Sequence, residues 1–364
     1  MRHRSRSNFW LVCLLFLGAS NVAATDDSPA RPVVPQYKDH SDLRHFIDAA
    51  GIRQPIRNAA DWAQRRQHVL QHLQTVMGTL PGPRQRPPLD VKVVEEVRLG
   101  KLTRRKLTYQ SDSDDRVPAY LFLPDHEPGQ KLPTVLCLQQ TTNAGKSEPA
   151  GLAGQPSLHY ALHLAERGYV TLAPDYPSFG EHKYDFAPEH GYQSGSMKAV
   201  WDNIRAVDLL QTLPDVDGER IGCLGHSLGG HNTMFTAAFE PRLKVLVSNC
   251  GFCTFQKDDV PSWTGPRYMP RLATVFKNEA KLIPFDFPEI IATFAPRPFL
   301  ASAAEGDDDF DISGVKDCVA AARPIYELLG RANALEESYY AGPHGFPTVA
   351  RERAYEFLDR HLKP

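Results

Sequence analysis

The chain has 364 residues, 42% of them hydrophobic, with 41 Lys+Arg set against 43 Asp+Glu for a net charge of −2. That length can bury one large core or two modest ones. Lysines and arginines do not cluster beyond the N-terminus, so nucleic acid is excluded as a partner.

In chain order, Arg2, Arg4 and Arg6 precede an apolar stretch from Phe9 to Ala19, and Val22-Ala23-Ala24 offers small residues before a polar TDDSPA. This reads as a secretory signal peptide cleaved after Ala24, and it predicts a secreted or periplasmic protein. The apolar stretch is too short to span a bilayer comfortably. No second stretch of membrane length follows, so no membrane span is expected in the mature chain. Residues 25–40 are polar and proline-bearing and read as a flexible leader. Helices are predicted over 42–50 and 59–80. In the second, Trp62, Val69, Leu73, Val76 and Leu80 recur at helical spacing, and PGPRQRPP stops it.

VKVVEEVRLG, KLTRRKLTYQ and VPAYLFLP follow as strands of an antiparallel edge. Then LPTVLCLQQ, YVTLAPD, ERIGCL, LKVLVSN, RPFLASAA and LEESYYAG are short apolar runs, most of them separated by helical stretches. Alternation of this kind implies an α/β fold, a mostly parallel central sheet with helices on both faces. Residues 41–364 read as one domain, the N-terminal helices being too short to carry a core of their own.

Five cysteines follow Cys13. Cys137 and Cys223 fall in predicted core strands. Cys250 and Cys253 have C-x-x-C spacing without the second pair a zinc site needs, and a disulfide between them stays open. His68/His72 and His159/His163 have H-x-x-x-H spacing, but Val69 and Tyr160 stand where metalloprotease helices carry glutamate. They read as surface or groove histidines, and no metal or cofactor is expected.

Residues 221–231 read IGCLGHSLGGH. With glycine at about 7% of residues, G-x-S-x-G arises by accident in about one chain in eight of this length. Context strengthens it. An apolar strand precedes Ser227, a helix follows from Leu228, and Gly225 and Gly229 leave room for a strained elbow. The helix N-terminus beneath Ser227 suits developing negative charge. A serine hydroxyl needs a histidine base, and the histidine needs a carboxylate to fix its tautomer. His344, in YYAGPHGFP, is the only histidine between the acidic loop and the terminal helix. The acid lies among Asp307, Asp308, Asp309 and Asp311, beyond the strand RPFLASAA. A calcium loop there would want glycine and glutamate where Ile312 and Cys318 stand.

These motifs, with LAERGYVTLAPDYPSFGE, APRPFL and GPHGF, resemble the α/β-hydrolases, and within them the dienelactone hydrolase and acetyl xylan esterase-like group, from about Val91 to the C-terminus. The resemblance implies that Ser227 attacks, His344 shuttles the proton and Asp307, three residues before Phe310, orients His344. It implies an oxyanion hole from the N–H groups of Leu228 and Thr141, although many members carry His-Gly where this chain has Gln139-Gln140. Long connections over 177–196 and 250–294 suggest binding walls, with aromatics including Phe179, Tyr184, Trp263 and Tyr268. The expected activity is a secreted serine esterase cleaving short acyl groups, with acetyl esters on carbohydrate as the favoured substrate. A serine peptidase, a dienelactone hydrolase-type enzyme and a non-catalytic binding protein are the rival readings. Peptidases of this fold usually add an N-terminal propeller, for which the roughly 80 residues before the first strand leave no room. Substrate-binding residues and oligomeric state are not readable.

Overall fold

The computed structural model describes residues 34–363. The signal-peptide reading and the leader before residue 34 lie outside the described residues. From Tyr37 onward the chain is packed rather than a loose leader. The Tyr37 ring is buried beneath the Arg65 guanidinium, its hydroxyl meets His68 Nδ1 at 2.8 Å, and His40 Nδ1 meets Glu289 at 2.8 Å. The helix expected over 42–50 is replaced by a small hairpin, β1 (His45–Ile47) against β2 (Arg53–Pro55). The Asp48 carboxylate accepts from the N–H groups of Ala50 and Ile52, and Gly51 takes φ 77°, which closes a turn where a helix would have to continue.

Helix α1 (Ala59–Met77) starts at Asn58, whose side chain accepts from Ala60 and Asp61 N–H, and stops at Gly78 (φ 98°), before the Leu80 expected. His72 on this helix is buried, not in a surface groove. Strands β3 (Lys92–Leu99), β4 (Leu102–Gln110) and β5 (Arg116–Pro124) form the antiparallel edge. Beyond them come β6 (Leu132–Leu138), α2 (Tyr160–Glu166), β7 (Val170–Pro174), α3 (Gly195–Thr212), β8 (Val216–His226), α4 (Leu228–Phe239) and β9 (Leu243–Asn249). The chain continues through α5 (Arg271–Thr274), α6 (Phe287–Phe294), β10 (Phe299–Ala304), α7 (Ile312–Leu328), β11 (Leu335–Tyr340) and α8 (Thr348–Leu362).

Sheet order is β11-β10-β9-β8-β6-β7-β5-β4-β3, with the pairs from β11 to β7 parallel. Alternate residues of each inner strand serve opposite faces. Leu136 and Leu138 join the core formed with α1, α3, α4, α6 and α7, while Val135 and Cys137 join the one formed with α2 and α8. Burial on both faces explains why these strands read as unbroken apolar runs. No helix among the described residues is long and apolar enough to cross a membrane.

A polar cluster interrupts the core beside α3. The Lys198 ammonium, fully buried on α3, lies 2.5 Å from Asp202, 2.6 Å from Asp115 and 3.0 Å from Asp112, with Ser111 Oγ at 2.9 Å. Asp115 also accepts from His182, so this cluster ties the 177–196 connection to the turn before β5.

Candidate active site

Ser227 sits at the C-terminal end of β8, in mid-sheet, with φ 55° and ψ −122°. A non-glycine residue in that region is strained. The strain is held by hydrogen bonds from Ser227 N–H to the Asn249 carbonyl (3.0 Å) and from Gly230 N–H to the Ser227 carbonyl (2.8 Å). The flanking glycines are demanded by close approach. A Cβ on Gly225 would stand 2.1 Å from the Gly229 carbonyl oxygen, and one on Gly229 would stand 1.9 Å from that of Leu138.

Strand β10 ends at Ala304, and the loop after it is clipped to the one after β11. Glu305 N–H donates to the Tyr340 carbonyl (2.8 Å) and Gly306 N–H to that of Gly342 (3.0 Å). This brings Asp307 against His344, whose Nδ1 lies 3.0 Å from each carboxylate oxygen. The Asp307 side chain is buried and accepts from the N–H groups of Asp309 (2.9 Å) and Phe310 (3.1 Å). Burial raises its carboxyl, but the hydrogen bond and charge of His344 outweigh that and hold it below the usual range. For His344 burial opposes the imidazolium, and the Asp307 hydrogen bond and charge, with Asp309 and Asp308 behind it, hold the ring above 6.5. The other aspartates stand elsewhere. Asp311 caps α7, and Asp309 Oδ2 lies 3.6 Å from His344 Nε2.

Among the described residues, no hydrogen bond joins Ser227 Oγ to His344. Contacts of this kind are often long in unliganded sites and tighten on binding. The N–H groups of Leu228 and Thr141 have no acceptor among the described residues. Both residues line a pocket of about 340 Å³ with Ser227, His231, Asp258, Asp259, Ser262, Trp263, Tyr268, Asp308, Asp309 and Phe310. Of the aromatics expected as walls, Trp263 and Tyr268 reach the pocket, while Phe179 packs with Tyr176, Ala199 and Leu228 instead. The five cysteines are thiols, and Cys250 meets the Tyr340 hydroxyl at 3.1 Å.

Three residues beside the site were not singled out from the sequence. Asn249 accepts from Ser302 Oγ (2.7 Å) and Tyr340 OH (2.8 Å) and donates to the Gly345 carbonyl (2.9 Å), joining three strand ends. His226 is buried with its ring centre 4.7 Å from that of His344, and burial lowers its pKa to about 3. His231 lies one turn along α4 from the elbow. The available signal was a polar residue ending an apolar run, as in LKVLVSN, which is as easily read as the strand boundary.

The sheet order, elbow and histidine–aspartate pair define an α/β-hydrolase fold. A profile of the prolyl oligopeptidase family (Peptidase_S9) matches residues 156–363, and the chain belongs to that family. The YtaP protein of Bacillus subtilis, described as a hydrolase, is 26% identical over 82% of this chain and 99% of its own length. A 4-O-methyl-glucuronoyl methylesterase of Wolfiporia cocos is 26% identical over 49% of each chain, so the match spans about half of that enzyme. Among solved structures, a glucuronoyl esterase from Solibacter usitatus superposes with a TM-score of 0.71 at 22% identity, covering 91% of this chain and 100% of its own.

Proposed function

We propose that the chain is an exported serine esterase that cleaves small acyl esters, acetyl groups on carbohydrate foremost, through an acyl-enzyme on Ser227. His344 takes the serine proton and returns it to the leaving alcohol. Asp307 fixes the ring so that Nε2 is free to accept, and the N–H groups of Leu228 and Thr141 receive the oxyanion. The observation that carries this reading is the bidentate Asp307–His344 contact at 3.0 Å beside a strained Ser227 that opens on a pocket. A relative named as a carbohydrate esterase and one named as a 4-O-methyl-glucuronoyl methylesterase support the ester over the amide, and the N-terminal apolar stretch supports export. The pocket is lined largely by polar side chains, four of them aspartates, which does not suit a long acyl chain. A long acyl groove would favour long chains by about 0.8 kcal/mol per buried CH₂.

A serine-directed phosphonate is expected to label the protein once, at Ser227, and not to label Ser227→Ala. Across an ester ladder kcat/KM should be higher for acetyl than for octanoyl. Labelling at another residue removes the mechanism. Faster octanoyl turnover removes only the small-acyl assignment, and faster cleavage of a matched amide favours the peptidase reading.

The charge around His344 also sets a pH limb. The ring must be neutral to act as base, and it is held above 6.5, so kcat/KM should fall on the acid side with a midpoint above 6.5. In Asp308→Asn/Asp309→Asn two of the charges favouring the imidazolium are gone, and the midpoint should move to lower pH.

A further inference from the structure

The pocket beside Ser227 carries four carboxylates, Asp258, Asp259, Asp308 and Asp309, and no lysine or arginine among its lining residues. Nearby cations are already engaged. Lys257 is paired with Asp317 at 2.7 Å, and Arg267 donates to Ser178 Oγ at 2.9 Å and lies over the Phe179 ring. The one basic side chain of the lining is His231, only 7% exposed, with neither ring nitrogen in a hydrogen bond among the described residues. Burial lowers its pKa to about 3, with the Gly251 backbone pulling the other way, so it is neutral and offsets none of the acidic charge. Its ring centre lies 4.6 Å from that of Trp263, which holds it in place. A neutral imidazole keeps one acceptor nitrogen and one N–H, and a buried imidazole with neither satisfied wants a partner.

Resting on the esterase reading, we propose that this pocket selects substrates by the hydroxyl groups they donate, one of them to His231, and rejects substrates bearing a second carboxylate near the scissile ester. Carboxylates and an imidazole acceptor together form a surface that receives hydrogen bonds, and a polyol supplies them without adding charge. An anionic substrate meets four like charges with no compensating cation. An ammonium on the substrate would satisfy the carboxylates as hydroxyls do and meets no repulsion there.

Acetate esters at the same position of glucose, glucuronate and glucosamine differ mainly in charge and separate these cases, with p-nitrophenyl acetate as a reporter of the esterase itself. The glucose ester is expected to exceed the glucuronate ester by about tenfold or more in kcat/KM at low ionic strength, and the gap should narrow in salt. The glucosamine ester should be at least as fast as the glucose ester. In Asp259→Asn/Asp308→Asn the glucuronate penalty should shrink. His231→Phe should raise KM for the glucose ester more than for p-nitrophenyl acetate, and His231→Gln, which keeps an acceptor, should recover part of it. Equal or faster turnover of the glucuronate ester, a glucosamine ester slower than the glucose ester, or inert sugar esters alongside rapid p-nitrophenyl acetate hydrolysis overturns this inference and leaves the esterase standing. Failure to hydrolyse any ester takes down both.

Discussion

Asp307→Asn is expected to lower kcat by about 10⁴ while leaving the fold intact, the loss seen when the equivalent change is made in a well-studied serine protease. The asparagine oxygen can still accept from the N–H groups of Asp309 and Phe310, so the loop keeps its shape. Its amide nitrogen, however, faces His344 Nδ1 as a donor. The ring then carries its proton on Nε2, where an acceptor is needed, and the negative charge that would stabilise the imidazolium is gone. Asp308→Asn and Asp309→Asn should change kcat at its pH optimum only modestly, since neither touches Nδ1. Asp311→Asn should cost little, because asparagine caps a helix about as well as aspartate. Single-turnover and steady-state kinetics on the four variants give the ranking. If Asp308→Asn is the crippled variant and Asp307→Asn stays active, the acid assignment fails.

The largest effect on stability is expected at Lys198. In Lys198→Met the carboxylates of Asp202, Asp115 and Asp112 lose their common cation, and Asp202 is fully enclosed. Breaking a buried ion pair from one side typically costs about 3–5 kcal/mol, because the partner charge is left uncompensated. Urea unfolding near neutral pH should show a loss of that order. The pH dependence has a definite sign. Burial already raises the Asp202 carboxyl to about 6 with the lysine present, and removing the lysine raises it further. A carboxyl raised in the folded state loses stability as pH climbs past its unfolded value of about 3.9, so the deficit of the variant should shrink as the solution is acidified. A deficit below 1 kcal/mol, or one that grows on acidification, contradicts this account.

Much of the architecture was legible because both sheet faces are covered. Leu136 and Cys137 point opposite ways and are both buried, so their strand announces itself as a continuous apolar run. The hairpin over 45–55 was misread because a side-chain turn at Asp48 outweighs weak helical spacing. Ser227, Asp307 and His344 could be picked out together because each is anchored to a strand end, where position along the chain translates into position in space. Asn249, His226, His231 and the Lys198 cluster were not, since their meaning depends on what converges from elsewhere. Lys198 meets Asp115 from 83 positions away, and Asn249 meets Tyr340 from 91. No local pattern encodes such a meeting.

The clip between the loops after β10 and β11 makes the proton-handling pair a single part, while the elbow belongs to another. Asn249 is the seam between them: its carbonyl receives the Ser227 N–H, and its side chain holds Ser302, Tyr340 and Gly345. One side chain and its own backbone thus set where the elbow stands relative to the histidine–aspartate pair, so a substitution at Asn249 would loosen both at once.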